Sequence, residues 1–374
     1  MKFGAFEQLA VPRPWDPGKE ASYYWRDLEI MIACDVAGYD YVWAPEHHFL
    51  EEYSHCPNSD TFLTALAMKT ERIRLVTGIM NLCPPINHPI KVAERIAMID
   101  IFSKGRVDLG TGRGSGSLEN NGFGVSNEVS REMWSEAIEA IPRMWQDDDF
   151  SWDGKFFRIP ERNVLPKPVQ KPHPPLWVTG SNWSTAKLAG EKGLGLAIFS
   201  FAPPEALAVP INAYREGIAV AQPVGAFIND QVMSVQVCLC LEDGELARKI
   251  YRQNIGDYMP YFKTYFDTVV PNDEAKSGPL TQSRYRELIA EAKRTGADAV
   301  ATYDAVPDVL TRDYMIENGL AVGDPEDIIA VVKRYEAAGI DQIVLSPICG
   351  NTQPLDVTFQ SIENVGKYVI PRFR

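Results

Sequence analysis

The stretch Ile73-Arg74-Leu75-Val76-Thr77-Gly78-Ile79-Met80, then Asn87-His88-Pro89, then Lys91 to Phe102, then Val107-Asp108-Leu109-Gly110 decides the fold. The short apolar run over 73–80 predicts a buried strand. Residues 91–102 predict a helix, closed by Lys104-Gly105. Residues 107–110 predict a second strand, which runs into Gly112-Arg113-Gly114. Strand, helix, strand is the repeating unit of a parallel sheet.

The same rhythm continues in both directions. Upstream, Phe3–Phe6 predicts a strand entering a proline-rich loop (Val11 to Gly18). Tyr24, Leu28, Met31 and Ile32 recur at helical spacing over 20–37, and Gly38 stops that helix. A strand over 41–44 and a helix over 61–69 follow. Downstream, 128–145 predicts a long helix interrupted near its end by Pro142. Alternation over 150–159 around Asp153-Gly154 signals a two-residue hairpin. Further strands are expected over 176–179, 196–199, 232–240 and 343–345, with helices over 184–192 and 325–338. About eight strands, each followed by a helix, with no glycine fingerprint after the first, favour a (β/α)8 TIM-type barrel over a doubly wound sheet. The whole of 1–374 reads as one barrel domain with insertions. The largest, a helical excursion around 244–311, is too long for a simple connection and is a candidate lid.

Composition bounds the function. The chain has 374 residues, and 37 Lys+Arg against 50 Asp+Glu give a net charge of −13. That balance speaks against nucleic acid or an anionic membrane as partner. A small anionic cofactor needs only local donors. The six cysteines (Cys34, Cys56, Cys83, Cys238, Cys240, Cys349) contain no CxxC pair, so neither a disulfide framework nor structural zinc is expected. Residues 1–7 lack a signal-peptide core and no apolar run reaches ~18 residues, so a cytoplasmic protein is expected.

Barrel chemistry lies at the carboxyl ends of the strands. There, Glu46-His47-His48 to His55-Cys56 holds three of the five histidines. Three roles compete: a metal site, an acid/base group near its ordinary pKa, or a structural pair holding the loop. Adjacent side chains at a strand end diverge, so His47 and His48 are poorly placed to share one ion. Glu46 is placed to orient a ring nitrogen. Leu109 to Ser117 is glycine-rich and offers Arg113 as a planar fork for a phosphate; a plain tight turn is the alternative. Thr179-Gly180-Ser181-Asn182-Trp183-Ser184 runs from a strand into a helix N-terminus, an anion site or an ordinary cap at Ser181 or Ser184. Gly78 and Ile79 stand where apolar groups can support a flat ring. His88 reads as a helix-entry residue and His173 as structural.

Several motifs in order resemble the bacterial luciferase-like flavin monooxygenases. They are Trp43-Ala44-Pro45-Glu46-His47-His48-Phe49, Thr70 to Gly78 with His88-Pro89, Ile99 to Gly114, the hairpin Phe150 to Phe157, and Pro172 to Ser181. The similarity runs from Met1 to about Phe199. It implies a barrel, as a homodimer, that takes reduced FMN (FMNH2) from a separate NAD(P)H:flavin reductase. With O2 it would oxygenate a small organic substrate through a flavin C4a-(hydro)peroxide. By that pattern His47 is the acid/base, with Glu46 beside it at the flavin. Arg113 reaches the phosphate together with Gly180, Ser181 and Ser184, and Thr179 also binds the cofactor. Gly78-Ile79 stands where the family often has a cis peptide. Gly112 replaces the reactive cysteine of the luciferase α chain, which weakens any claim of light emission. The same fold leaves two alternatives, an F420-dependent oxidoreductase and a non-catalytic flavin-binding barrel.

Overall fold

In the computed structural model, residues 1–114, 116–200, 202–269, 281–305, 310–347 and 353–374 are described. Ser115 of the glycine-rich loop, Cys349, and 270–280 and 306–309 of the excursion lie outside them.

Eight parallel strands close a barrel. In chain order they are β1 (Lys2–Phe6), β2 (Tyr41–Ala44), β3 (Arg74–Thr77), β4 (Val107–Gly112), β5 (Leu176–Thr179), β6 (Gly195–Ile198), β7 (Val232–Cys240) and β8 (Gln342–Ser346). Each pairs with the next, for example Leu75 opposite Val107 and Met233 opposite Ala197. Phe3 opposite Ile343 completes the ring. The strands are buried almost throughout, which is why they read as continuous apolar runs rather than as alternation. Trp43, Val76, Trp177, Met233 and Val344 fill the interior. The outer faces pack against the surrounding helices in the main core.

The expected barrel is present, with four local differences. The strand expected over 73–80 leaves the sheet after Thr77; Gly78–Ile79 is a cis peptide, and Met80–Asn81 then pairs with Thr111 and Gly112. Pro142 does not interrupt its helix, which runs unbroken from Asn127 to Gln146. Ile138, Ile141, Met144 and Trp145 are buried on both sides of the proline, and that packing outweighs the lost N–H bond. The hairpin Phe150–Asp153/Arg158–Arg162 turns through residues 154–157 instead of at Asp153-Gly154 alone. The amides of Lys155 and Phe156 donate to the Glu136 carboxylate, which draws the turn outward. A short strand, Ala321–Gly323, joins the outer end of β7.

The excursion is helical, with Gly244–Val269 and Gln282–Ala305 followed by Arg312–Glu317. It is tied to the loop after β2. Gln282 Nε2 donates to the Phe49 carbonyl at 3.2 Å, Tyr285 Oη to the Leu50 carbonyl at 3.2 Å, and Arg286 pairs with Glu51 at 2.7 Å. Leu50, Tyr53, Leu118, Tyr261, Tyr285 and Ile289 form an apolar cluster at this junction. The excursion therefore stands over the carboxyl ends of the strands.

Candidate active site

A cavity of about 610 Å³ opens at the carboxyl ends of the strands, within the usual range for small-molecule sites. Loops after β1 to β5 and the helix Gly244–Val269 line it. Among the sequence-predicted residues, Glu46, His47, Gly78, Ile79, Arg113, Thr179, Gly180 and Ser181 border this one space. Ser184 does not border it: its hydroxyl donates to Asn182 Oδ1 at 2.9 Å.

One end of the cavity is cationic. Arg113 follows β4 and is half-buried, and its Nη1 donates to Ser130 Oγ at 3.0 Å. Burial, and then the neighbouring charge of Arg131, lower its pKa below the usual guanidinium value. Among the described residues, no carboxylate pairs with Arg113 or Arg131. Close by, the chain enters the helix Trp183–Glu191. Asn182, rather than Ser181 or Ser184, is the cap, accepting from the Thr185 N–H at 2.9 Å. Side chains here are small for a steric reason. A Cβ on Gly180 would lie 2.5 Å from Thr185 Cγ2, and one on Gly112 would lie 2.6 Å from Ile79 Cδ1.

The other end is carboxylate-rich and tightly bonded. His47 Nδ1 lies 3.1 Å from Glu119 Oε1, and the same oxygen accepts from the His48 backbone N–H at 2.9 Å. His48 Nε2 is 3.4 Å from Glu46 Oε1, so Glu46 orients His48 rather than His47. Asn87 Nδ2 donates to both Glu46 oxygens, at 2.8 and 3.0 Å. Arg95 donates to Asn87 Oδ1 at 2.6 Å and pairs with Asp60 at 2.8 Å. Burial raises the Glu46 pKa, while His48, Asn87 and Arg95 oppose the shift. The His47 ring meets Tyr53 and Tyr265 edge-on, with centroids 5.4 and 5.2 Å away. Tyr53 and Tyr265 stack at 4.6 Å.

His47 and His48 thus turn to different carboxylates. Among the described residues no group of three His, Cys, Asp or Glu is placed to hold a metal. His88 caps the helix Pro89–Phe102, its Nδ1 accepting from the Ile90 N–H at 3.3 Å. His173 is buried and structural: Nδ1 faces the Pro174 carbonyl and Nε2 accepts from the Ala226 N–H at 2.9 Å. His55 lies away from the cavity, 2.9 Å from Glu20.

The sequence reading missed Glu119, Arg131, Asn182 and the tyrosines of the excursion. Glu119 sits on a single short helix, Ser117–Gly122, too brief for a periodic signal. Arg131 could have been found, because it lies three residues before the buried Trp134 on one helix face, and both border the cavity.

The profile of the luciferase-like monooxygenase family matches residues 1–342. The chain belongs to the luciferase-like monooxygenase family. It is 31% identical over 353 residues to the oxygenase component of a flavin-dependent trigonelline monooxygenase from Acinetobacter baylyi, covering 91% of this chain and 88% of that protein. Two solved structures share the fold. One is the oxygenating constituent of 3,6-diketocamphane monooxygenase from Pseudomonas putida in complex with FMN (TM-score 0.75, 19% identity, 100% of this chain and 99% of that one). The other is an F420-dependent secondary alcohol dehydrogenase (TM-score 0.70, 22% identity, 100% and 99%). No helix among the described residues of this luciferase-like chain is long and apolar enough to cross a membrane.

The lining of the cavity suits a flat cofactor that carries a phosphate. Among the described residues, Arg113 and Arg131 border it without a carboxylate partner, the start of the helix Trp183–Glu191 borders it too, and positions 112 and 180 lie tight against Ile79 and Thr185.

Proposed function

We propose that this chain is the oxygenase of a two-component system, a single barrel unit that takes reduced FMN from a separate NAD(P)H:flavin reductase and oxygenates a small organic substrate with O2. The observation that carries the reading is the polarity of the cavity, with an uncompensated arginine pair at one end and a bonded His–Glu pair at the other. The near full-length relative named as an oxygenase component supports the two-component arrangement. When bound, the reduced flavin supplies the electrons that activate oxygen.

The chain's residues do the rest. Arg113, aided by Arg131, neutralises the phosphate, and Thr179, Gly180 and Ser181 bring the backbone close to it. Ser184 acts at one remove, by fixing Asn182 as the cap. Gly78 and Ile79 support the ring. Glu119 accepts the Nδ1 proton of His47, which leaves Nε2 as the nitrogen that takes up and returns a proton. Glu46 fixes the loop through His48 and Asn87. The helix Gly244–Val269 excludes water from above. A second copy of the chain covers Met98, Ile101 and Phe102, which stand 46%, 42% and 44% exposed on one helix.

The test is anaerobic titration with reduced FMN, then admission of ¹⁸O₂ with a substrate panel. Saturable binding and one labelled oxygen atom in a product are expected. The fold shared with F420 enzymes favours a second reading, a hydride-transfer enzyme. It predicts turnover with reduced F420 in the absence of oxygen and no incorporation of label.

A further inference from the structure

The part of the cavity beyond the arginine pair has its own chemistry. The Lys and Arg residues bordering the cavity are Arg113 and Arg131 alone among the described residues. Around His47 the charged groups are instead carboxylates, Glu119 on the short helix Ser117–Gly122 and Glu46 after β2. Histidines 47 and 48 are the other titratable groups there. Tyr53 and Tyr265 border the same space as a stacked pair, and Tyr251 borders it from the helix that carries Tyr265. Apolar Ile255, Val237 and Leu320 complete the wall.

Tyrosine faces carry negative quadrupole charge, and carboxylates carry full charge; both attract a cation and repel an anion. We propose that this end of the cavity selects an organic cation carried on or beside a flat ring, with Tyr53, Tyr251 and Tyr265 as the specificity-determining residues and Glu119 and Glu46 supplying the field. The proposal rests on the FMN reading, in which the phosphate takes the two arginines and leaves the tyrosine end to the substrate.

The test compares two ligands of one shape, N,N,N-trimethylanilinium and its neutral isostere tert-butylbenzene. Binding is measured by equilibrium dialysis, without oxygen, on the full chain saturated with reduced FMN and on the flavin-free chain. The cation is expected to bind about ten-fold more tightly, an advantage that Tyr265→Leu removes and Tyr265→Phe keeps, since phenylalanine retains the ring face. Equal or tighter binding of the neutral isostere, or a cation advantage that survives Tyr265→Leu, overturns the proposal. Failure of reduced FMN to bind overturns the cofactor reading instead, while a cation preference in the flavin-free chain leaves the ligand class standing.

Discussion

The two ends of the cavity are built on opposite principles. At the His47 end, partners extend outward from Glu119 and from Glu46 through Asn87 and Arg95 to Asp60. At the Arg113 end, two like charges sit close together, and the Arg113 guanidinium donates to a serine hydroxyl. A network of this kind holds its groups in place before any ligand arrives. An uncompensated pair of guanidiniums is relieved when an anion binds. The difference separates the part of the site that is finished in the free protein from the part that the cofactor finishes.

The largest effect should come from breaking the unfinished end. Arg113→Ala removes a charge-assisted contact worth ~2.5–3 kcal/mol. Reduced-flavin affinity is expected to fall about 100-fold, while thermal stability stays level or rises because Arg131 loses a like-charged neighbour; anaerobic flavin titration and a melting curve check both. A substitution at the finished end should do the reverse. Glu119→Gln keeps the shape but weakens the hold on the His47 tautomer. We expect kcat to fall about ten-fold with the pH profile displaced, and flavin affinity to change less than about three-fold.

The smallest effect concerns pH. Burial raises the Glu46 pKa, so the folded chain keeps that proton to higher pH than the unfolded chain does. The stabilisation is complete below the ordinary glutamate value and is lost as pH rises through the raised one. Glu46→Gln abolishes this slope. Its melting temperature relative to the parent should therefore climb by ~1–2 °C between pH 4.5 and pH 7; a difference that falls over that range would contradict the assigned direction.

Much of this was legible in the residues, for definite reasons. Buried parallel strands appear as short apolar runs, so β2, β5 and β7 were read at their observed limits. His47, Arg113 and Gly180 follow strand ends, where barrel chemistry lies. What escaped depends on tertiary contacts. Glu136 draws out the hairpin turn, and core packing carries the helix past Pro142. Glu119 becomes visible only when the short helix Ser117–Gly122 folds against His47. Asn182 took the cap because its side chain reaches the Thr185 N–H, while Ser184 sits one residue into the helix.

The contrast between the ends can be measured in one experiment: anaerobic titration of the parent chain and of Arg113→Ala with reduced FMN and with reduced riboflavin, which lacks the phosphate. The account predicts that the parent prefers reduced FMN about 100-fold and that Arg113→Ala erases the preference. Equal affinity of the parent for both flavins would contradict it.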